Sequence, residues 1–203
     1  GGPAGAAAGA RDAAGELGCD LVVFADVGGD AIAGGDELGL ASPLCDAVML
    51  AAAARLAAEL DVLGAVYGAG CDAELTPSEV LERVALLGRA GAWIGTWGMS
   101  PAVADELVAA AGIVPTEASL MAARCAQGEV GPTPIRGGRR EVELGPAGAL
   151  TFFFDPLAGP DCLPLAHAVA DAGDLEAARD ALQARGVRTE LDYERDRAAE
   201  ASS

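Results

Sequence analysis

Residues 24–46 constrain this chain more than any other stretch. They hold five glycines and five acidic residues: Asp26, Asp30, Asp36 and Glu37 in the loop, and Asp46 just inside the helix that follows. An apolar run, residues 21–25, precedes them; it is too short for a helix and reads as a buried strand. A long apolar segment, residues 44–60, follows and reads as a helix. Strand, glycine-rich acidic loop, helix start is the order in which open α/β sheets place ligands at strand C-terminal ends.

The rest of the chain repeats that alternation. Residues 61–67 read as a second buried strand, ending beside Gly68, Gly70 and Asp72. Thr76, Pro77 and Glu79 form a capping box that opens a helix to about Arg89. Residues 92–97 read as a short third strand. Ser42-Pro43 and Ser100-Pro101 each pair an N-cap residue with proline at the first helical position. Thr116 caps a further helix. Residues 133–144 read as a hairpin turning at Gly137-Gly138. Residues 150–154 read as a central apolar strand. Residues 163–171 and 175–185 read as helices, and 187–193 as a last edge strand. The expected fold is α/β, a doubly wound, mostly parallel, Rossmann-like sheet with helices on both faces and an added antiparallel hairpin. One domain is expected over residues 16–193. The ends, 1–15 and 194–203, are expected to be flexible, the first as a frayed helix or tail.

Composition excludes several chemistries. Net charge is −18, with 31 acidic residues against 13 basic ones, so the field repels polyanions and nucleic acid is not a partner. No apolar run reaches the roughly 20 residues of a membrane span. There is no lysine, so Schiff-base chemistry and a phosphate-loop lysine are excluded. The five cysteines are widely spaced, which argues against a zinc ribbon or disulfide framework and favours buried thiols in the cytoplasm. A single histidine, His167, leaves no His-rich zinc site. Trp93 and Trp97 are expected in the core.

The acidic loop has three readings. Two carboxylates 4 Å apart repel by about 4 kcal/mol at an effective dielectric of about 20. A hard divalent cation relieves this and takes oxygen ligands, which makes Asp26, Asp30 and Asp36 candidates for a Mg²⁺ or Mn²⁺ site. Alternatively, Asp26 and Asp30 hydrogen-bond substrate directly, or the acids are solvated turn formers. An EF-hand starting at Asp26 would close at Glu37, but Gly28 and Ala31 stand at the wrong positions. The helix start at Ser42 offers free N–H groups to an anion, with Asp46 in the first turn. Arg136, Arg139 and Arg140 can clamp a phosphate or carboxylate, or pair with Glu141 and Glu143. Glu117 follows a helix cap, where it complements the dipole.

Three motifs, Asp26-Val-Gly-Gly-Asp30, Gly35-Asp-Glu37 and Ser42-Pro-Leu-Cys-Asp46, resemble the uncharacterised family catalogued as domain of unknown function 1152. Pro115-Thr-Glu-Ala-Ser119, and Ile135–Arg140 leading into Phe152–Asp155, extend the resemblance over about residues 20–160. It implies an α/β fold and brings Glu117 forward as a general base. Relatives are similar to one another also in a glycine-rich strand–loop upstream, so the chain is expected to be a truncated or processed form. Over residues 26–39 alone, the loop is similar to metal-dependent glutamate cyclases and damage-control carbohydrate phosphatases.

The expectation is therefore a metal-assisted enzyme of hydrolase, cyclase or lyase type, acting on a small anionic metabolite. Asp26, Asp30 and Asp36 hold the ion. Glu37 or Glu117 moves a proton. Gly28, Gly29, Ser42 and Asp46 contact substrate, and Arg136 or Arg139 holds its anionic group. The alternatives are a non-catalytic ligand-binding or assembly module, and a nucleotide-binding regulator. A homo-oligomer is compatible with all of them.

Overall fold

The computed structural model describes residues 1–201. The elements, in order, are α1 (Gly2–Leu17), β1 (Leu21–Val27), α2 (Pro43–Leu56), β2 (Asp61–Tyr67), α3 (Pro77–Arg89) and β3 (Trp93–Gly98). There follow α4 (Pro101–Ala111), α5 (Glu117–Ala126), β4 (Gly131–Ile135), β5 (Arg140–Leu144), β6 (Leu150–Phe154), α6 (Pro164–Val169), α7 (Leu175–Gln183) and α8 (Glu190–Ala201). Among the described residues no helix is long and apolar enough to cross a membrane.

The main sheet has the order β1-β2-β6-β3. β1 and β2 are parallel, while β6 runs antiparallel to both its neighbours. β1, β2 and β3 thus share a direction, as the early strand–helix alternation predicts. A mostly parallel, doubly wound sheet does not form, because β6 enters between β2 and β3. Its residues explain the placement. Phe152 and Phe154 are buried, and a strand this apolar gains most from a central position with neighbours on both sides. The Phe154 ring lies across Gly64 on β2, where an added Cβ would come within 2.4 Å of it. The expected hairpin does form, as β4–β5.

The helices cover the two faces unequally. Strand residues alternate between faces, so the register puts Phe24, Val62, Val66, Phe152 and Phe154 on one side. That side packs with α2, α3, α6 and α7 in the main core. The other side carries Leu21, Val23, Leu63, Phe153 and Trp97. α5 and the hairpin cover only its far end, where the Tyr67 hydroxyl meets Ser119 at 2.9 Å. Leu21 and Val23 stay about half exposed, and Trp97 is 74% exposed, against the core position expected for it.

At the chain ends, helix forms where a frayed helix or tail, and then an edge strand, were expected. The Ala-rich N-terminal segment is helix α1, packed on α2. Residues 187–193 make no strand. Thr189 donates its N–H and hydroxyl to Asp192 Oδ2, both at 3.0 Å. That closes a capping turn and starts α8, which carries the charged tail as helix.

Replacing Phe154 by Ala should destabilise the fold by about 3–5 kcal/mol, read from urea unfolding. Trp97→Ala, on the open face, should stay within about 0.5 kcal/mol of the parent. Equal losses in the two variants would contradict a one-sided core.

Candidate functional site

The register of β1 and β2 ends at Val27 opposite Tyr67, so the loops that follow lie side by side. Gly28 donates its N–H to the Tyr67 carbonyl at 3.0 Å, and Gly70 donates to the Gly28 carbonyl at 2.8 Å. Gly28 and Gly29 have φ of 116° and 125°, a region that glycine enters without strain. A Cβ on Gly28 would lie 2.1 Å from the Asp72 carboxyl carbon. Glycine here lets the second loop lay Asp72 directly on the first. A 3-10 turn, Asp30–Ile32, then buries Ile32 and Asp30 together. Asp46 enters from the first turn of α2. The result is a cavity of about 300 Å³ walled by Asp26, Asp30, Asp46, Asp72, Glu74 and Arg136.

These carboxylates are not equivalent. Asp26 Oδ2 accepts the N–H groups of Gly29 at 3.0 Å and Ala31 at 3.4 Å. Asp72 Oδ1 accepts the Glu74 N–H at 3.0 Å. Glu74 is saturated: it takes the N–H groups of Ala41 and Ser42 at 2.7 and 2.8 Å and the Ser42 hydroxyl at 2.5 Å. Arg136 lies 3.6 Å from it. Asp30 is 4% exposed. Its hydrogen-bond neighbours are two other acids, Asp26 and Asp46. No backbone N–H, hydroxyl or guanidinium among the described residues donates to it.

Two trios each present oxygens within 4.8 Å of one another: Asp26, Asp30 and Asp46; and Asp30, Asp72 and Glu74. The first trio is the better cation site, because Glu74 has already spent its lone pairs on donors. Burial and mutual repulsion raise all four aspartates above the usual 3.8. Asp46 rises to about 6, Asp72 to about 7 and Asp26 to about 8, with burial the largest cause in each. Asp30 is raised furthest, by burial and then by the charges of Asp26 and Asp46.

The predicted site residues divide. Asp26, Asp30, Asp46, Gly28 and Gly29 come together as described, with the glycines acting through backbone shape. Asp36 does not join them. The buried turn at Ile32 and Ala33 carries the chain onward, and Asp36 lies beside Gly34. Glu37 folds back on its own loop, accepting from Gly34 and Gly35 at 2.7 and 2.9 Å. With Asp36 and Glu37 elsewhere, the EF-hand reading fails. Ser42 does not cap α2; its hydroxyl serves Glu74. The free N–H groups expected there are taken by Glu190 of α8, at 3.1 Å from Leu44 and 2.9 Å from Cys45. An anion cannot use that end while Glu190 occupies it.

The arginine cluster is built around Arg136. It sits in the hairpin turn at φ 53°, uncommon for a residue with a side chain. Glu117 accepts its backbone N–H at 2.9 Å, and this bond aims the guanidinium at Glu74. Arg136 and Arg139 line a second cavity of about 390 Å³, together with Arg140 and Arg197, and it shares Ser42, Glu74 and Arg136 with the acidic one. Arg140 is a structural clamp, donating to the carbonyls of Gly39 and Ala73 at 3.1 and 2.9 Å.

Asp72, Glu74 and Glu190 were not among the expected site residues. Asp72 carried a signal, since it stands just past β2 as Asp26 ends β1, and parallel neighbours bring such ends together. Glu74 and Glu190 carried none. Their partners are more than 30 and 140 positions away.

A carboxyl whose pKa is raised by folding makes stability fall as pH climbs from its unfolded to its folded value. The metal-free protein should therefore lose stability as pH rises from about 4 toward about 8, through the ranges of Asp46, Asp72 and Asp26. Asp30→Asn removes the cost of protonating that carboxyl on folding. It should stabilise the metal-free fold at pH 8 by about 1–3 kcal/mol, with the gain vanishing near pH 4. Urea titrations across that range test this; an asparagine that destabilises at every pH would contradict it.

No curated protein and no solved structure matches the chain. A family described as "Protein of unknown function (DUF1152)" matches residues 1–198. The match spans every residue that walls this cavity, and the chain belongs to that family.

Proposed function

We propose that the acidic cavity binds a divalent cation, Mg²⁺ or Mn²⁺, and that the protein is a metal-assisted enzyme of hydrolase, cyclase or lyase type acting on a small anionic metabolite. One observation carries this reading: Asp30 is almost fully buried, with carboxylate oxygens of Asp26 and Asp46 within 4.8 Å of its own. Without a cation such crowding is relieved by protonation, and a cation among Asp26, Asp30 and Asp46 would replace the protons with direct attraction. The oxygen-only ligand set suits a hard cation.

The neighbouring groups then have defined tasks. A bound cation polarises an oxygen of the substrate or of water. Arg136, held by Glu117 and beside Glu74, faces both cavities and holds the anionic group; Arg139 lines the same wall. Asp72, with a pKa near 7, has the proton affinity suited to accept and return a proton near neutral pH. Glu37 keeps its own turn together, and Glu117 holds the hairpin. Small-molecule substrates fit cavities of this size, and the arginines select for negative charge.

A second reading is a non-catalytic ligand-binding or assembly module. The uncovered sheet face with Leu21, Val23 and Trp97 favours it.

Melting temperature with Mn²⁺, Mg²⁺ or chelator separates the two. Metal at 100 times its Kd should add about 2.7 kcal/mol. Asp26→Asn and Asp46→Asn should lose that increment, and Asp36→Ala should keep it. A folded wild-type chain with no metal response would reject the first reading and leave the second.

A further inference from the structure

Outside the acidic cavity, two thiols converge on a point that only glycine leaves free. Cys71 lies in the loop after β2 and is 1% exposed; Cys125 lies in the last turn of α5 and is 5% exposed. Both belong to the smaller core that joins α5 to the hairpin, and both are free cysteines. A Cβ built on Gly148 would stand 2.6 Å from Cys125 Sγ and 3.0 Å from Cys71 Sγ. The sulfurs therefore flank one small gap, and any side chain at position 148 would drive them apart.

We propose that Cys71 and Cys125 are a redox-modification site, closing to a reversible intramolecular disulfide under a hydroperoxide oxidant. The chemistry balances. The Cys125 thiolate attacks one peroxide oxygen and breaks the O–O bond, which leaves a sulfenic acid and hydroxide. Cys71 then attacks the sulfenic sulfur. The S–S bond forms, the S–O bond breaks, and water leaves with the Cys71 proton. The hydroxide takes up the proton that Cys125 had released. Two thiols are oxidised by two electrons and one peroxide is reduced to two waters.

The surroundings favour this order of events. The neighbouring Cys71 thiol and the Gly145 N–H favour the Cys125 thiolate, and its pKa is lowered to about 7. The thiolate is the nucleophilic form. Hydrogen peroxide is small enough to reach a buried pair through local opening. The link would fasten α5 to the loop that bears Asp72, one residue from Cys71. It does not depend on a metal being bound.

The test is peptide mapping of the folded chain after brief hydrogen peroxide treatment and alkylation of the remaining thiols. The expected product is one linked pair, Cys71 with Cys125, two hydrogens lighter and restored by a dithiol reductant. Gly148→Val, whose side chain would occupy the gap, should slow the link at least tenfold. Where that variant fails to fold, the wild-type chain in urea serves instead, and there the pairing should scatter among all five cysteines. Folded wild-type protein that leaves both thiols reduced would overturn the proposal. So would oxidation to sulfinic acid without a link, or links made by the exposed Cys19 and Cys45 in place of this pair.

Discussion

Four aspartates crowd the ends of two parallel strands with a single guanidinium nearby, and the surrounding structure depends on how that repulsion is borne. Neutralisation by protons is one answer, and their raised pKa values reflect it. A cation is the other. Both act at one place because parallel pairing of β1 and β2 forces their loops together. An antiparallel partner for β1 would have sent Asp72 to the opposite end of the sheet, and the cluster would not exist.

Not every acid in the region belongs to that problem. Glu74 and Glu190 are carboxylates used as scaffold. Glu74 gathers three donors from residues 41 and 42 and fixes the approach to α2. Glu190 caps the first turn of α2 from a helix near the other end of the chain. Both satisfy backbone groups that would otherwise be orphaned at a buried helix start. The distinction between a carboxylate with donors and one without separates frame from site here. By that criterion Asp30 belongs to the site, and Glu74 and Glu190 to the frame.

The antiparallel insertion of β6 shapes the rest. It brings the chain back from the hairpin into the sheet centre, which sets the hairpin turn beside the acidic loops. Arg136 reaches the cavity by that route. Its left-handed backbone and its bond to Glu117 are local costs and supports of the same placement. Most of the helical packing falls on one face, and α5 covers only one end of the other. The other face, with Trp97 exposed, is apolar surface of the kind that marks contact with something else.

What the sequence determined by itself was local: periodicity, capping boxes and glycine–acid loops fix where strands and helices start, and they located the strand-end loop at Asp26 and Asp30. These signals need only neighbours a few residues apart, and so did the hairpin turn at Gly137-Gly138. Tertiary structure decided which strand lies beside which, and hence which acids meet. Asp36 and Glu37 follow Asp30 within the same loop, yet a buried turn at Ile32 takes them away, while Asp72 arrives from a second strand. Ser42 looked like a cap, but a glutamate 148 positions later took the role, because a charged carboxylate outcompetes a hydroxyl for helix N–H groups once the fold brings it close. Long-range pairing has no periodic signature, and only packing chooses among the partners that local patterns leave available.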